Sequence, residues 1–451
     1  MVSYSRPKTT VWITADEAAH RLGVSKPTLY AYVSRGRIHR TLADDGRRSR
    51  FDAAEVAALG RGKPKPSSPG MTELRISSAI TRIDESSLFY RGVPVASLIG
   101  SESFENVAEL LWQGAPASWA PNREMVARLA AFSSACSSPR SGLGTRRTVH
   151  SISLNRPASA SGSTMALEAK ALAVESGHRP GLAASNLAQL VLEVGSVVED
   201  SDSSRFSGFS RLSSVEPSAV LNQTAQLLGV LSAALPGVRA TDQTIASRLW
   251  RHLARRAPGE GELALIEAAL VALADHELAT ATLAVRISAS TRADIYSSIA
   301  AGLCVLTGPL HGSASAGSYR LLASAAASGR PARAVDEALA EFGLLHGFGH
   351  KVYKQADPRS VALLELLKRA EVDRGKRSVV DAVLVEAKGR ISRADNVDFA
   401  LAAISFCCDL PPSAGELIFC FARIAGWAAH YLEELDEPPL RFRVRALYRG
   451  E

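Results

Sequence analysis

From Ser103 onward the apolar residues of this chain recur at helical spacing, with Leu and Ala dominant and few β-branched alternations. That period turns one face of each segment toward a core and leaves little material for a sheet. The greater part of the chain is therefore read as mainly α. Two short strand-like runs precede it: residues 79–83 and 88–92 flank Asp84-Glu85-Ser86-Ser87 and read as a hairpin. Residues 137–163 and 201–216 are Ser-rich and weakly periodic and read as loops. At 451 residues, two or three folded units are expected rather than one.

The net charge of +7 is unevenly placed. Residues 1–70 hold 13 Lys/Arg against 6 Asp/Glu, and the remainder balances at 39 against 39. The pattern predicts a basic module joined to a neutral body. In the module, Thr14 and Glu17 form a capping box for a first helix that carries Ala18 and Leu22 and stops at Gly23. Ser25 caps a second helix over 26–34, with Pro27 in its first turn. The turn signal Asp44-Asp45-Gly46 then leads into Arg47-Arg48-Ser49-Arg50-Phe51, as a hairpin wing would. EAAHRLGVSKPTLYAYVSRGRI followed by RRSRFDAAEV resembles the helix-turn-helix of excisionase and MerR-type DNA-binding domains. The resemblance implies DNA as a candidate partner. Thr28 and Tyr30 would then read bases, and Arg35, Arg37, Arg47, Arg48 and Arg50 would lie on phosphates. A module that only mediates protein contacts is the alternative. The module is placed at 1–60, and the Pro-, Ser- and Lys-rich run RGKPKPSSPG opens a linker over 61–74.

Five cysteines without a C-x-x-C pattern favour reduced, buried thiols over a disulfide framework. The N-terminus lacks a signal-peptide apolar core, and no run of 18 apolar residues occurs. A cytoplasmic protein with no membrane segment is expected.

Four segments interrupt the helical pattern with polar residues beside Gly, Pro or Asp. They are Asp275-His276-Glu277-Leu278, Gly308-Pro309-Leu310-His311-Gly312, GFGHKVYKQADPR (347–359) and Asp395-Asn396-Val397-Asp398-Phe399. Three of the ten histidines, His276, His311 and His350, fall in these breaks. Glycine beside histidine lets the backbone approach a ligand closely.

These segments, in this order, resemble those of citrate synthases, and the likeness runs from about Ser77 to Glu451. ITRIDESSLFYRG is similar to that family's opening hairpin and SFENVAELLWQG to its next helix. FARIAGWAAHYLEE and RFRVRALYRG are similar to its last helix and arginine tail. The fold implied is mainly α: a large helical domain over 75–311 and 403–451 with a small helical domain inserted at 312–402, behind an N-terminal winged helix-turn-helix. The chemistry implied is condensation of acetyl-CoA or propionyl-CoA with oxaloacetate. A thioester methyl group is a weak carbon acid and needs a base on one side and a donor to the forming enolate on the other. By resemblance Asp398 is that base, His311 the donor, and His350 the proton source for the oxaloacetate ketone. His276, Arg359 and Arg423 would hold oxaloacetate, and Arg443 would be supplied to the partner subunit of a homodimer or higher oligomer. Lys351 and Lys354 would meet the phosphates of coenzyme A. No metal is implied, and no cofactor beyond the coenzyme A thioester as substrate.

The match is incomplete in the small polar residues around the titrating ones. Where bacterial relatives read HELNAST, HGGANE and NVDFYSG, this chain reads HELATAT, HGSASA and NVDFALA. Thr282 keeps a hydroxyl in the first of these. Three readings stay open: a working citrate or 2-methylcitrate synthase, a DNA-binding regulator that senses a metabolite, and an accessory subunit of a hetero-oligomeric synthase.

Overall fold

The structure is a computed structural model that describes residues 12–22, 24, 26–34, 38–42, 49–53, 55–56, 75–84, 86–114, 117–127, 129, 184–201, 216–254, 256–308, 314–353 and 355–443. The chain divides into two compact units, Met1–Ser77 and Ser78–Glu451.

In the first unit, strand β1 (Trp12–Thr14) runs into helix α1 (Ala15–Leu22), followed by α2 (Lys26–Ser34), β2 (Arg40–Leu42) and β3 (Ser49–Asp52). The Glu17 amide donates to Thr14 Oγ1 at 3.3 Å, so the expected cap forms. β2 and β3 pair antiparallel as the expected wing, with Thr41 opposite Arg50. β1 was not expected: it pairs with the other edge of β3, with Ile13 opposite Phe51, and completes a sheet of order β1-β3-β2. The helices close over that sheet with Ala18, Leu22, Leu29, Ile38 and Phe51 buried. Residues 43–48, which include Arg47 and Arg48, lie outside the described residues, as do Arg35, Arg37 and the linker 61–74.

The second unit opens with the expected hairpin. β4 (Thr81–Ile83) pairs with β5 (Leu88–Tyr90) in the register Ile83 opposite Leu88. A short third strand, β6 (Val93–Pro94), follows the tight turn at Arg91-Gly92. The helices are α3 (Val95–Leu98), α4 (Phe104–Leu111), α5 (Ala184–Ser201), α6 (Pro217–Ala233), α7 (Ile245–Ala254), α8 (Glu262–Leu273), α9 (Thr280–Ser290) and α10 (Ile295–Leu306). They continue with α11 (Ala314–Ser328), α12 (Pro331–Phe342), α13 (Pro358–Arg369), α14 (Arg374–Arg390), α15 (Val397–Cys407) and α16 (Ala414–Leu435). The Ser-rich stretches fall outside the described residues, except that Ser201 ends α5 and Glu216 precedes α6.

Two helices organise this unit. α8 is apolar on nearly every side, from Leu265 to Leu273, and is buried accordingly. α16 packs on α4, α5, α6, α8, α9, α10, α11 and α15, which is why its polar residues Arg423, His430 and Glu434 end up inside the protein. α11 to α15 pack chiefly on one another: α11 on α12, α14 and α15, and α13 on α15. They meet the other helices mainly where α13 touches α3 and α8 and where α11 and α15 touch α16. Of the described cysteines, Cys407, Cys408 and Cys420 are buried free thiols, whereas Cys304 on α10 is exposed. Among the described residues no helix is long and apolar enough to cross a membrane.

Candidate active site

The loop that begins at Gly347 is sewn to the residues just before α15. The Gly349 amide donates to the Ala394 carbonyl at 2.7 Å, the Asn396 amide to the Gly347 carbonyl at 2.8 Å, and Asn396 Nδ2 to the Gly349 carbonyl at 2.8 Å. Gly347 must be glycine here: its φ is +80°, and an added Cβ would lie 2.3 Å from Ser318 Oγ. Asn396 also caps α15, its Oδ1 accepting from the Asp398 amide at 2.9 Å. One short ladder thus fixes His350 relative to Asp398, although 48 residues separate them in sequence.

His350 Nδ1 accepts from the amides of Val352 at 3.0 Å and Tyr353 at 3.3 Å. A nitrogen that accepts carries no proton, so the neutral ring holds its hydrogen on Nε2. The rings of His350, His276 and Tyr353 converge: centroids are 5.2 Å apart for the two histidines and 4.7 Å for His350 and Tyr353. His276 Nε2 lies 3.1 Å from the Tyr353 hydroxyl. Burial, and then the positive charges of Arg359 and Arg423, hold His276 well below the usual histidine pKa, so it is neutral at physiological pH.

Two arginines are buried beside these rings with different partners. Arg359 opens α13 and is 3% exposed. Its Nε and Nη2 donate to both oxygens of Asp357, at 3.0 and 2.8 Å. Asp357 also caps α13 and accepts from the Val397 amide at 3.0 Å, joining this ion pair to the start of α15. Arg423 is 1% exposed on α16. Its Nε donates to the Leu273 carbonyl at 2.9 Å, its guanidinium lies 4.6 Å from the Phe419 ring centre, and among the described residues no carboxylate pairs with it. Burial pushes its pKa down, and the fields of Asp275, Tyr90 and Asp398 partly oppose that. A buried cation left in this state is costly unless an anion completes it.

Asp398, half-buried in the first turn of α15, is pushed up to about 6. Burial is the main cause, Arg359 and Arg423 pull the other way, and Asp357 adds to the rise. A carboxylate at that value is ionised at neutral pH yet basic enough to take a proton. The loop and residues 392–395 also frame a cleft of about 540 Å³, lined by His350, Lys351, Asp357 and Arg393 among others.

Five of the seven residues expected to catalyse or bind oxaloacetate have described surroundings that bear on the site: His276, His350, Arg359 and Arg423 as above, with Asp398 beside the last two electrostatically. Lys351 is exposed at the cleft. His311 and Lys354 lie outside the described residues. Arg443 is exposed, its amide donating to the Arg441 carbonyl at 3.1 Å, and nothing among the described residues ties it to the site. In the first unit Tyr30 is exposed and edge-on to Phe51, Arg50 is exposed on β3, and the side chain of Thr28 lies outside the described residues. Asp357, Tyr353, Asn396 and Asp275 were not among the expected site residues. Asp357 carried a usable signal, since Asp before Pro is a helix cap that also presents a carboxylate to the next side chain.

Residues 70–445 match the family profile described as citrate synthase, C-terminal domain, and residues 12–61 match a helix-turn-helix domain. The chain is 33% identical over 216 residues to citrate synthase 2 of Bacillus subtilis, covering 46% of this chain and 57% of that protein. The citrate synthase structure from Pyrobaculum aerophilum superposes with a TM-score of 0.59 at 24% identity, covering 84% of this chain and 91% of that one. The Thermoplasma acidophilum citrate synthase, solved as a ternary complex with carboxymethyl coenzyme A and oxaloacetate, gives a TM-score of 0.55 at 20% identity, covering 83% of this chain and 94% of that one. At these identities the two structures show the shared fold alone. The chain spans little more than half the length of several curated relatives it matches: 57%, 54% and 53%.

Proposed function

Because the chain belongs to the citrate synthase family, we propose that it condenses the acetyl group of acetyl-CoA with oxaloacetate and hydrolyses the product to citrate and coenzyme A. Arg423 carries this reading. A guanidinium 1% exposed with no carboxylate partner among the described residues, in the same site as His276 and His350, suits a small dianion better than any apolar ligand. Arg359 offers a second cation, since Asp357 occupies only its Nε and Nη2.

In this mechanism the Asp398 carboxylate takes a proton from the thioester methyl carbon while His311 donates a hydrogen bond to the thioester oxygen. The enol carbon attacks the ketone carbon of oxaloacetate. The ketone oxygen, becoming an alkoxide, takes the proton that His350 holds on Nε2. Water then cleaves the thioester and releases the thiol, which makes the sequence irreversible in practice. Lys351 and Lys354 would neutralise coenzyme A phosphates, and Arg443 would serve the site of a second copy of the chain. The small domain at 312–402, built on α11 to α14 and the first half of α15, would close on the large one over bound oxaloacetate and exclude water. Propionyl-CoA is the alternative acyl donor, because one methylene changes pocket affinity by only about 1–3 kcal/mol.

A second reading concerns residues 12–61. The helix-turn-helix match, with the basic excess confined to residues 1–70, favours a DNA-binding role alongside catalysis. The deciding experiment is thiol release by the purified full-length protein from acetyl-CoA and from propionyl-CoA, with and without oxaloacetate. Oxaloacetate-dependent release supports the synthase reading. No release from either thioester refutes it and leaves the regulator and accessory-subunit readings.

A further inference from the structure

We propose that His430 is a positioning residue that fixes the turn carrying His276. His430 is fully buried on α16, and its two ring nitrogens meet Arg286 and Asp275. Its Nδ1 lies 3.1 Å from Arg286 Nη1, and its Nε2 lies 3.3 Å from Asp275 Oδ2. Guanidinium groups only donate, so Nδ1 accepts from Arg286 and the ring proton sits on Nε2, aimed at Asp275. Arg286 is itself held by Glu433 and Glu434, and Glu434 also takes two hydrogen bonds from Arg441, each at 2.6 Å. His430 is therefore locked in one tautomer by a buried ion cluster.

Asp275 converts that fixed proton into backbone geometry. Its Oδ2 also accepts from Thr81 Oγ1 at 2.5 Å and from the Glu277 amide at 3.1 Å. The last bond spans His276 and closes a tight turn in which Glu277 adopts φ +53°, a left-handed conformation unfavourable for a residue with a side chain. The Tyr90 hydroxyl pins the same segment by accepting from the Asp275 amide at 3.2 Å. His276 is thus the middle residue of a turn held from the helix side by His430 and from the sheet side by Thr81. Loss of the Nε2 donor lets the carboxylate and the turn relax, which swings His276 away from Tyr353 and His350.

The inference rests on the reading of His276 as an oxaloacetate ligand, and the experiment separates the two. His430→Gln keeps a donor near the position of Nε2, whereas His430→Asn keeps only the end that meets Arg286. With the full-length protein, the expected result is an oxaloacetate KM raised about tenfold or more in His430→Asn. KM for acetyl-CoA stays within twofold, and His430→Gln is close to wild type. In ligand-free protein the His276 ring signal in NMR spectra, assigned by its loss in His276→Gln, shifts in His430→Asn and returns in His430→Gln. Equal behaviour of the two variants, or an unshifted signal in His430→Asn, overturns the proposal. If His430→Asn does not fold, Thr81→Val removes a donor to the same oxygen, and an unshifted His276 signal there overturns it as well. Wild-type protein indifferent to oxaloacetate refutes the functional reading, and the ligand-free ring signals still decide the positioning role.

Discussion

Replacing Asp398 by Asn should abolish turnover and at the same time make the protein more stable at neutral pH. In the folded protein the carboxyl titrates at about 6 instead of 3.8, because it is partly buried and lies near Asp357. At 1.36 kcal/mol per pH unit, that rise means the folded state loses about 3 kcal/mol by holding the group ionised. The folded state binds the proton more tightly than the unfolded chain. The penalty is therefore absent below pH 3.8, grows as pH rises, and is complete above about 6. Asparagine cannot ionise and avoids it. The opposing term is the helix dipole, which favours an anion in the first turn of α15 by about 0.3–1 kcal/mol. Desolvation wins, so the variant should gain about 2 kcal/mol at pH 8 and almost nothing at pH 4. Thermal unfolding of both proteins at the two pH values measures the gain. Oxaloacetate-dependent thiol release measures the loss, expected at about a hundredfold or more for a general base. Wild-type turnover should fall roughly tenfold per pH unit below about 6, as Asp398 takes up a proton. Turnover of Asp398→Asn within tenfold of wild type, or lower stability than wild type at pH 8, would refute the assignment.

Mixing an Arg443→Ala chain with a His311→Ala chain should restore part of the activity that each lacks alone, since one site of the mixed dimer then has both groups. No recovery, with subunit exchange shown by mass, would place the site within one chain. Truncation at residue 70 should remove DNA retention and leave condensation nearly unchanged. In the full-length protein, retention measured by fluorescence anisotropy should weaken with salt by about 0.9 log units per phosphate contact for each tenfold increase. Absence of salt-sensitive retention at low ionic strength would assign the module to protein contacts. Gly426→Ala should destabilise the protein by about 1–3 kcal/mol in denaturant unfolding, because the new Cβ would lie 2.3 Å from Asp275 Oδ1 and 2.5 Å from the Ala274 carbonyl. An unchanged midpoint would mean that α16 is not packed closely against Ala274 and Asp275 at Gly426.

The local features were legible because their causes are local. The capping box at Thr14, the second helix over 26–34 and the turn between β4 and β5 each depend on residues within a few positions of one another. The same holds for the polar loops, where Gly beside His stands out against an Ala- and Leu-rich background. β1 was missed because three residues, Trp12–Thr14, carry too little period to read, and only β3 across the sheet makes them a strand.

The sequence by itself determined where polar residues interrupt the helices, and the resemblance attached expected roles to them. Tertiary structure alone decided their states. Arg359 and Arg423 look alike as letters, yet one is neutralised by Asp357 two residues away and the other is left without a carboxylate partner among the described residues. His430 looks like an incidental residue of an apolar helix until Arg286, 144 positions earlier, and Asp275, 155 positions earlier, set its two nitrogens to opposite tasks. Helical period and caps are short-range and survive in the order of the letters. Pairing, burial and proton affinity depend on which distant segments displace the water, and packing of α8 and α16 settles that.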